Sequence, residues 1–301
     1  EYGAKANGRD DDTLAVIRAA QAAARQGIWL VFPAGEYVIT DQVSFSGAMA
    51  GVKGEKGSLI RLQSSSKRAG FLVRELAERD PIKDPFLVSG LSIECQVTYP
   101  DQAAAIYLID TQGVHVVDNR IRHVQVGHGI YVRGMSNGIN STRAVAYNVF
   151  RNNVIEVEPL PDHDCFGIEI EAERLLPAGE SSPRESWLRR FVLPDIPVPA
   201  HDNLLEGNQI SGAYYGISFL GVRRSLVQDN KLQGQIRCMS IQHQSHYNVI
   251  TGNELTDSLS SSIHLAYGSS FNTVSYNRIR NNRARGEGLL QAYVGASKND
   301  F

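Results

Sequence analysis

The densest run of chemistry-bearing residues in the chain is Asp162-His163-Asp164-Cys165-Phe166-Gly167-Ile168-Glu169-Ile170-Glu171. Its second half alternates apolar and acidic residues, which is the period of a β-strand. If Ile168 and Ile170 face inward, Glu169 and Glu171 face outward together, about 6.5–7 Å apart along the strand. Inverting glycosidases hold their two carboxyls roughly 6.5–9.5 Å apart, so the spacing suits an acid and base pair across a glycosidic bond. Like charges this close also raise one of the two pKa values, as a general acid requires. Asp164, Asp162 and His163 stand beside the pair as further catalytic candidates. A surface strand can carry two Glu for solubility alone, so the neighbouring segments have to decide.

Those neighbours are repeats. The phrase Asn, any residue, Ile or Leu recurs as Asn119-Arg120-Ile121, Asn153-Val154-Ile155, Asn208-Gln209-Ile210, Asn230-Lys231-Leu232, Asn253-Glu254-Leu255 and Asn277-Arg278-Ile279. The last three steps are 22, 23 and 24 residues. A second Asn precedes four of the copies, at Asn148, Asn203, Asn248 and Asn272. About ten residues downstream lies a second beat: Gly129-Ile130, Gly167-Ile168, Gly216-Ile217, Ser262-Ile263 and Gly288-Leu289. A period of roughly 20–50 residues signals a stacked-repeat architecture. No copy shows the 3.6-residue stripe of a helix, which leaves an all-β, single-stranded parallel solenoid with one coil per repeat. The Asn are expected at the corners, tolerating left-handed backbone and bonding up the stack.

Aligning the second beat stacks side chains into two outward columns. One runs Tyr131, Glu169, Ser218, Gln242, His264, and the next Arg133, Glu171, Leu220, Gln244, Ala266. An exposed face holding Arg, Tyr, Glu, Gln and His side by side has the composition of a sugar groove. Tyr214 and Tyr215 are placed to stack on sugar rings. His128, Tyr131 and Arg133 offer a different chemistry, with a base and a cation that neutralises a uronate carboxylate, as elimination or epimerisation needs. A non-catalytic glycan-binding or structural solenoid is a third reading.

The N-terminal residues are of another kind. Tyr2-Gly3-Ala4-Lys5 leads to Asp10-Asp11-Asp12-Thr13 and an Ala-rich run whose face is read as Leu14, Ile17, Ala20 or Gln21, and Ala24. The Asp cluster is expected to cap this helix and Gly27 to stop it. Trp29 to Ile39 then reads as strand, Pro-Ala-Gly turn and strand. The helix would cover the apolar end of the solenoid. This stretch closely resembles the N-terminal cap of the pectate-lyase-like right-handed parallel β-helix superfamily, with the resemblance carried by about 40 residues of cap and then by the repeats. That superfamily includes mannuronan epimerases, polysaccharide lyases, glycoside hydrolases and tailspike depolymerases. The resemblance implies a right-handed β-helix, a polysaccharide or oligosaccharide partner, and a secreted or periplasmic setting. Pro161-Asp162-His163-Asp164 is similar to the Asp-Pro-His-Asp/Glu motif of mannuronan epimerases, though the order differs and the motif precedes the Gly-Ile strand.

Composition narrows the rest. The 30 Lys and Arg against 32 Asp and Glu give no global charge that would favour nucleic acid or an anionic membrane. Cys95, Cys165 and Cys238 are too few and scattered for a disulfide framework or a Cys-rich zinc site. No cofactor or metal is expected; Asp162-His163-Asp164 supplies ligand types for calcium, but no second cluster accompanies it. There is no Ser-His-Asp elbow, Walker loop or dinucleotide fingerprint. One domain over 1–301 is expected, with the cap at 1–40 and an inserted loop at 172–202. The loop holds Trp187, Arg184, Arg189 and Arg190, and is read as a substrate-contacting segment or a homo-oligomer contact. The charged stretch Arg74 to Asp84 reads as a loop. No helix follows the last strand, so the C-terminal coil is expected to be covered by a returning loop, a second subunit or further residues.

Overall fold

The computed structural model describes residues 2–98, 104–134, 145–161, 163–172, 199–283, 290–293, 296 and 298–300. Asp162, Trp187 and the insert arginines lie outside them. Three long parallel sheets run side by side through these residues, and successive coils add one strand to each. The first sheet runs from Asn7–Asp11 to Arg278–Arg280, the second from Gln42–Gly47 to Leu290–Tyr293, and the third from Trp29–Phe32 to Thr273–Ser275. The expected all-β solenoid is therefore the observed architecture. The stretch Arg74 to Asp84 differs from expectation at its start, because Arg74 and Glu75 complete the strand Gly70–Leu76.

The repeat phrase explains the stacking. Its apolar residue points inward, and Ile121, Ile155, Ile210, Leu232 and Leu255 are each at most 2% exposed. The Asn before it is buried and bonded. Asn119, Asn153, Asn208, Asn230 and Asn253 each donate from Nδ2 to the Oδ1 of the next Asn, at 2.8–3.0 Å. A second ladder runs through Asn148, Asn203, Ser225, Asn248, Asn272 and Asn299. The left-handed corner falls one residue earlier than expected. Asp118, Asn152, Gly207, Asp229, Gly252 and Tyr276 have φ between 54° and 68°. That bend lets the following Asn side chain turn inside, where its amide satisfies backbone groups of two coils.

The helix Thr13–Gln26 lies against the first strands of the second and third sheets, Gln42–Gly47 and Trp29–Phe32. Its buried face is Ala15, Val16, Ala20, Ala22 and Ala23, while Leu14 is 68% exposed. Small Ala side chains let the helix approach the sheet closely, and Leu14 falls on the outer side. Asp12, the N-cap residue, makes no side-chain bond to the helix and instead accepts from Lys5 and Ala6 N–H. Asp11 takes the Thr13 N–H at 2.9 Å. Gly27 closes the helix at φ 67°, with its N–H on Ala23 O.

The described edges of the stretch expected as an inserted loop, 172–202, are hydrogen-bonded to the coils. Ala172 N–H donates to Leu220 O at 2.8 Å, and Ala200–His201 pairs in parallel with Val222–Arg223. At the other end of the molecule, Asp300 pairs in parallel with Thr273 and accepts from Val274 N–H at its carbonyl, so residues 298–300 lie as a further rung beside the Thr273–Ser275 strand. Among the described residues no helix is long and apolar enough to cross a membrane.

Candidate functional site

The strand Cys165–Glu171 sits fifth in the second sheet, between Gly127–Arg133 and Tyr215–Leu220. Ile168 and Ile170 are fully buried in the core, so Glu169 and Glu171 share the outer face as the alternation requires. Gly129, Gly167 and Gly216 form a column at the start of these strands. A Cβ on Gly167 would lie 2.4 Å from Gly216 O and 2.5 Å from Ile210 Cγ2. The glycines therefore sit over the core at a place with no room for a side chain. Strict alternation breaks there, and the residue before each glycine is thrown onto the outer face.

Three outward files result. The first is His128, Phe166, Tyr215 and Arg237. The second is Tyr107, Tyr131, Glu169, Ser218, Ser240, His264 and Gln291. The third is Ile109, Arg133, Glu171, Leu220 and Gln242. This corrects the aligned columns by two residues: Ser240 occupies the place read for Gln242, and Gln242 that read for Gln244. The copy between those of Gly216 and Ser262 lies two residues earlier than the alignment puts it, because Cys238 stands where the glycine marks the beat.

The two carboxylates have different company. Glu171 Oε2 accepts from the Tyr131 hydroxyl and lies 3.8 Å from Arg133 Nε. Burial, reinforced by the Glu171 and Glu169 charges, pushes the Tyr131 phenol well above its usual range, so it remains a donor. Arg133 is raised as well: burial pulls it down, but Tyr131, Glu171 and Tyr107 outweigh that. Glu169 faces His128, with Nε2 to Oε1 at 3.7 Å. The His128 ring is sandwiched between Tyr131 (centroids 4.3 Å, 8°) and Phe166 (4.8 Å, 15°), and neither ring nitrogen has a hydrogen-bond partner. Tyr107 stacks on the far side of Tyr131 at 5.0 Å. Burial raises the Tyr107 phenol, against the pull of Arg133.

On the other flank Phe166 meets Tyr215 edge to face at 5.6 Å, and Tyr214 leans on Tyr215 at 4.7 Å. Arg237 Nη1 donates to the Tyr215 hydroxyl at 3.2 Å and stands 3.5 Å from His264 Nδ1. Gln242 Nε2 donates to Ser240 Oγ. The face is less open than the sequence suggested. Tyr131 is 1% exposed, His264 3% and Glu169 7%, because flat rings and long side chains cover one another. Glu171, Arg133, Phe166, Tyr214, Tyr215 and Arg237 are the half-buried members that reach its surface.

Of the expected site residues, Glu169, Glu171, Tyr131, His128, Arg133, Tyr214, Tyr215, Gln242 and His264 share this face. His163 and Asp164 are exposed and precede the strand, apart from the cluster. Sequence reading missed Phe166, Arg237, Tyr107 and Ser240. The signal for the first two was present, since each directly precedes the Gly or Cys of the second beat.

Three parallel sheets that gain one strand per coil leave a single description. The chain is a parallel β-helix. The family model for the periplasmic copper-binding protein NosD matches residues 198–300. A search of curated proteins gives no match. Among solved structures, the β-helix is similar to the mannuronan C-5 epimerase AlgE6 A-module of Azotobacter vinelandii, at 14% identity and a TM-score of 0.44, covering 99% of this chain and 97% of that one. It is similar to the surface adhesin PfbA of Streptococcus pneumoniae, at 12% identity and a TM-score of 0.49, covering 100% and 90%. The catalytic unit of a GH87 alpha-1,3-glucanase from Streptomyces thermodiastaticus aligns at 15% identity and a TM-score of 0.33, covering 98% and 67%. Among the described residues there is no group of three or more His, Cys, Asp or Glu placed to hold a metal ion. Burial also pushes the Cys238 thiol up to about 12.

Proposed function

We propose that this β-helix acts on a polysaccharide or oligosaccharide and cleaves its glycosidic bonds, with Glu169 as general acid and Glu171 as general base. One observation carries the reading: two carboxyls stand on the same face of one strand, each in its own setting. Successive outward residues are about 6.5–7 Å apart, inside the roughly 6.5–9.5 Å range of inverting glycosidases. Glu171 has a cation and a phenol on it, the setting of a carboxylate that activates water. Glu169 is enclosed by rings and faces an imidazole, the setting of the partner that delivers a proton. Tyr214, Tyr215 and Phe166 provide apolar ring surface beside them for sugar rings. The reading calls on no cofactor, and its natural setting is secreted or periplasmic.

Digestion of a glycan library, read by mass spectrometry, tests it. Hydrolysis adds 18 Da per cut, with new reducing ends and inverted anomeric configuration by NMR. Full activity in both Glu169→Gln and Glu171→Gln would falsify the assignment. A second reading has its own support in Arg133, a cation on the strand that carries Tyr131 and His128 and close enough to Tyr131 to act on its phenol. That arrangement suits uronate chemistry, in which a cation neutralises the carboxylate while a base removes the adjacent proton. Products without the added water, absorbing near ~235 nm, would mark elimination by such a base; an altered uronate ratio without cutting would mark epimerisation. Binding without turnover on any glycan would leave a recognition module.

A further inference from the structure

A cleft separate from the carboxylate pair opens at the end of the second sheet, two coils toward the N-terminus. It encloses about 300 Å³ and is lined by Leu76, Ala77, Glu78, Arg79, Asp110, Thr111 and Gln112. That volume is at the small end of ligand pockets, which run roughly 300–1,000 Å³, and suits a single sugar unit. Its walls alternate acceptors and donors: two carboxylates, a guanidinium, a hydroxyl and an amide. Planar polar groups of both kinds match a ring that carries several hydroxyls, each of which donates and accepts. Two lining residues each carry, behind the wall, an atom short of partners. Arg79 Nε and Thr111 Oγ1 are shielded from water and make no hydrogen bond. Arg79 is otherwise anchored, with one Nη on Met49 O at 2.8 Å and its guanidinium over the Phe86 ring.

The cleft is also in line with the proposed site. Asp110 N–H donates to Arg133 O at 3.0 Å. Ile109, the residue before it, heads the file Ile109, Arg133, Glu171. Two strand spacings, about 10 Å, therefore separate the cleft edge from Glu171. One oligosaccharide laid along the helix axis reaches both.

We infer that this cleft is a distal sugar-binding subsite that holds one unit of the glycan whose reacting bond lies at Glu169 and Glu171. The inference rests on the proposed function for its choice of ligand. Thr111 is its discriminating residue. Removal of a hydroxyl that has no partner leaves folding unchanged or slightly improved. In this proposal a ligand at the cleft floor turns the Thr111 side chain so that its hydroxyl meets the sugar, and removal of that hydroxyl weakens binding.

The test uses the full chain carrying Glu169→Gln and Glu171→Gln, titrated calorimetrically with neutral and uronate oligosaccharides of two to six units. Affinity is expected to step up once the chain is long enough to span both places. Thr111→Val and Gln112→Ala should abolish that step, weakening the longer ligands about tenfold each while leaving the shortest unchanged. Thermal unfolding of Thr111→Val should match or exceed that of its parent. No length-dependent step, equal weakening at every length, or unchanged affinity in both variants overturns the subsite. The failure of the cleavage reading is separable. If the wild type releases no product yet the length step and its loss are seen, the subsite stands and cleavage falls. If the wild type cuts and Glu169→Gln abolishes cutting while the cleft variants bind as the parent does, the subsite alone falls.

Discussion

Substitution of Asn153 by Ala tests whether the buried amide ladder holds the coils in register. Asn153 is fully buried and makes four side-chain hydrogen bonds. Its Oδ1 accepts from Asn119 N–H at 3.2 Å and from Asn119 Nδ2 at 3.0 Å. Its Nδ2 donates to Val116 O at 2.8 Å and to Asn208 Oδ1 at 3.0 Å. At about 0.5–1.5 kcal/mol for each bond, the loss is about 2–6 kcal/mol. A large part of it comes from backbone groups left buried without a partner, where water cannot follow. That is a sizeable share of a domain stability of about 5–15 kcal/mol. Asn277 is the internal control. It makes three such bonds but is only partly buried. Water can replace some of these bonds, so Asn277→Ala should cost less than about 2 kcal/mol. Guanidinium unfolding followed by far-ultraviolet circular dichroism and by tryptophan fluorescence gives both values and checks that the probes coincide. Equal costs at the two positions, or an Asn153→Ala protein within about 0.5 kcal/mol of the parent, would refute the reasoning.

Three further substitutions address other parts of the fold. Gly167→Ala places a methyl against a backbone oxygen that cannot yield, and should destabilise by about 1–3 kcal/mol or more; Gly234→Asn has nothing within 4 Å but sits at φ 70°, a left-handed backbone that Asn tolerates better than most residues, and should cost less than about 1 kcal/mol. Asp202 is held below the usual carboxylate range, first by its hydrogen bond from Arg224 and then by His201. Its stabilisation is therefore fully present at neutral pH and is lost as pH falls through that depressed pKa. Asp202→Asn should cost about 0.5–1 kcal/mol at pH 7 for a half-exposed pair, with the difference vanishing in acid. A difference that grows on acidification would contradict the assignment.

The sequence by itself determined the coil. A period near 23 residues, an inward Ile or Leu and a bonded Asn leave one way to stack, because a strand has only two faces and one must be buried. The same two-residue period put Glu169 and Glu171 on one outer face and Ile168 and Ile170 in the core. Three things needed the tertiary structure. The left-handed corner sits on the residue before each Asn, since an amide that bends the chain cannot also point inside. The files across the second sheet shifted at Cys238, where the glycine marker is replaced and only hydrogen-bonded register fixes the pairing of Ser218 with Ser240. Burial was the third. Tyr131 reads as an outward residue on its own strand, whereas His128 and Phe166 join it on the outer face because alternation breaks at the glycine after each. His128 stacks on Tyr131 of its own strand at 4.3 Å and on Phe166 of the next coil at 4.8 Å, and together the rings cover one another and Glu169. Periodicity along a single strand carries no record of a neighbour on the next coil.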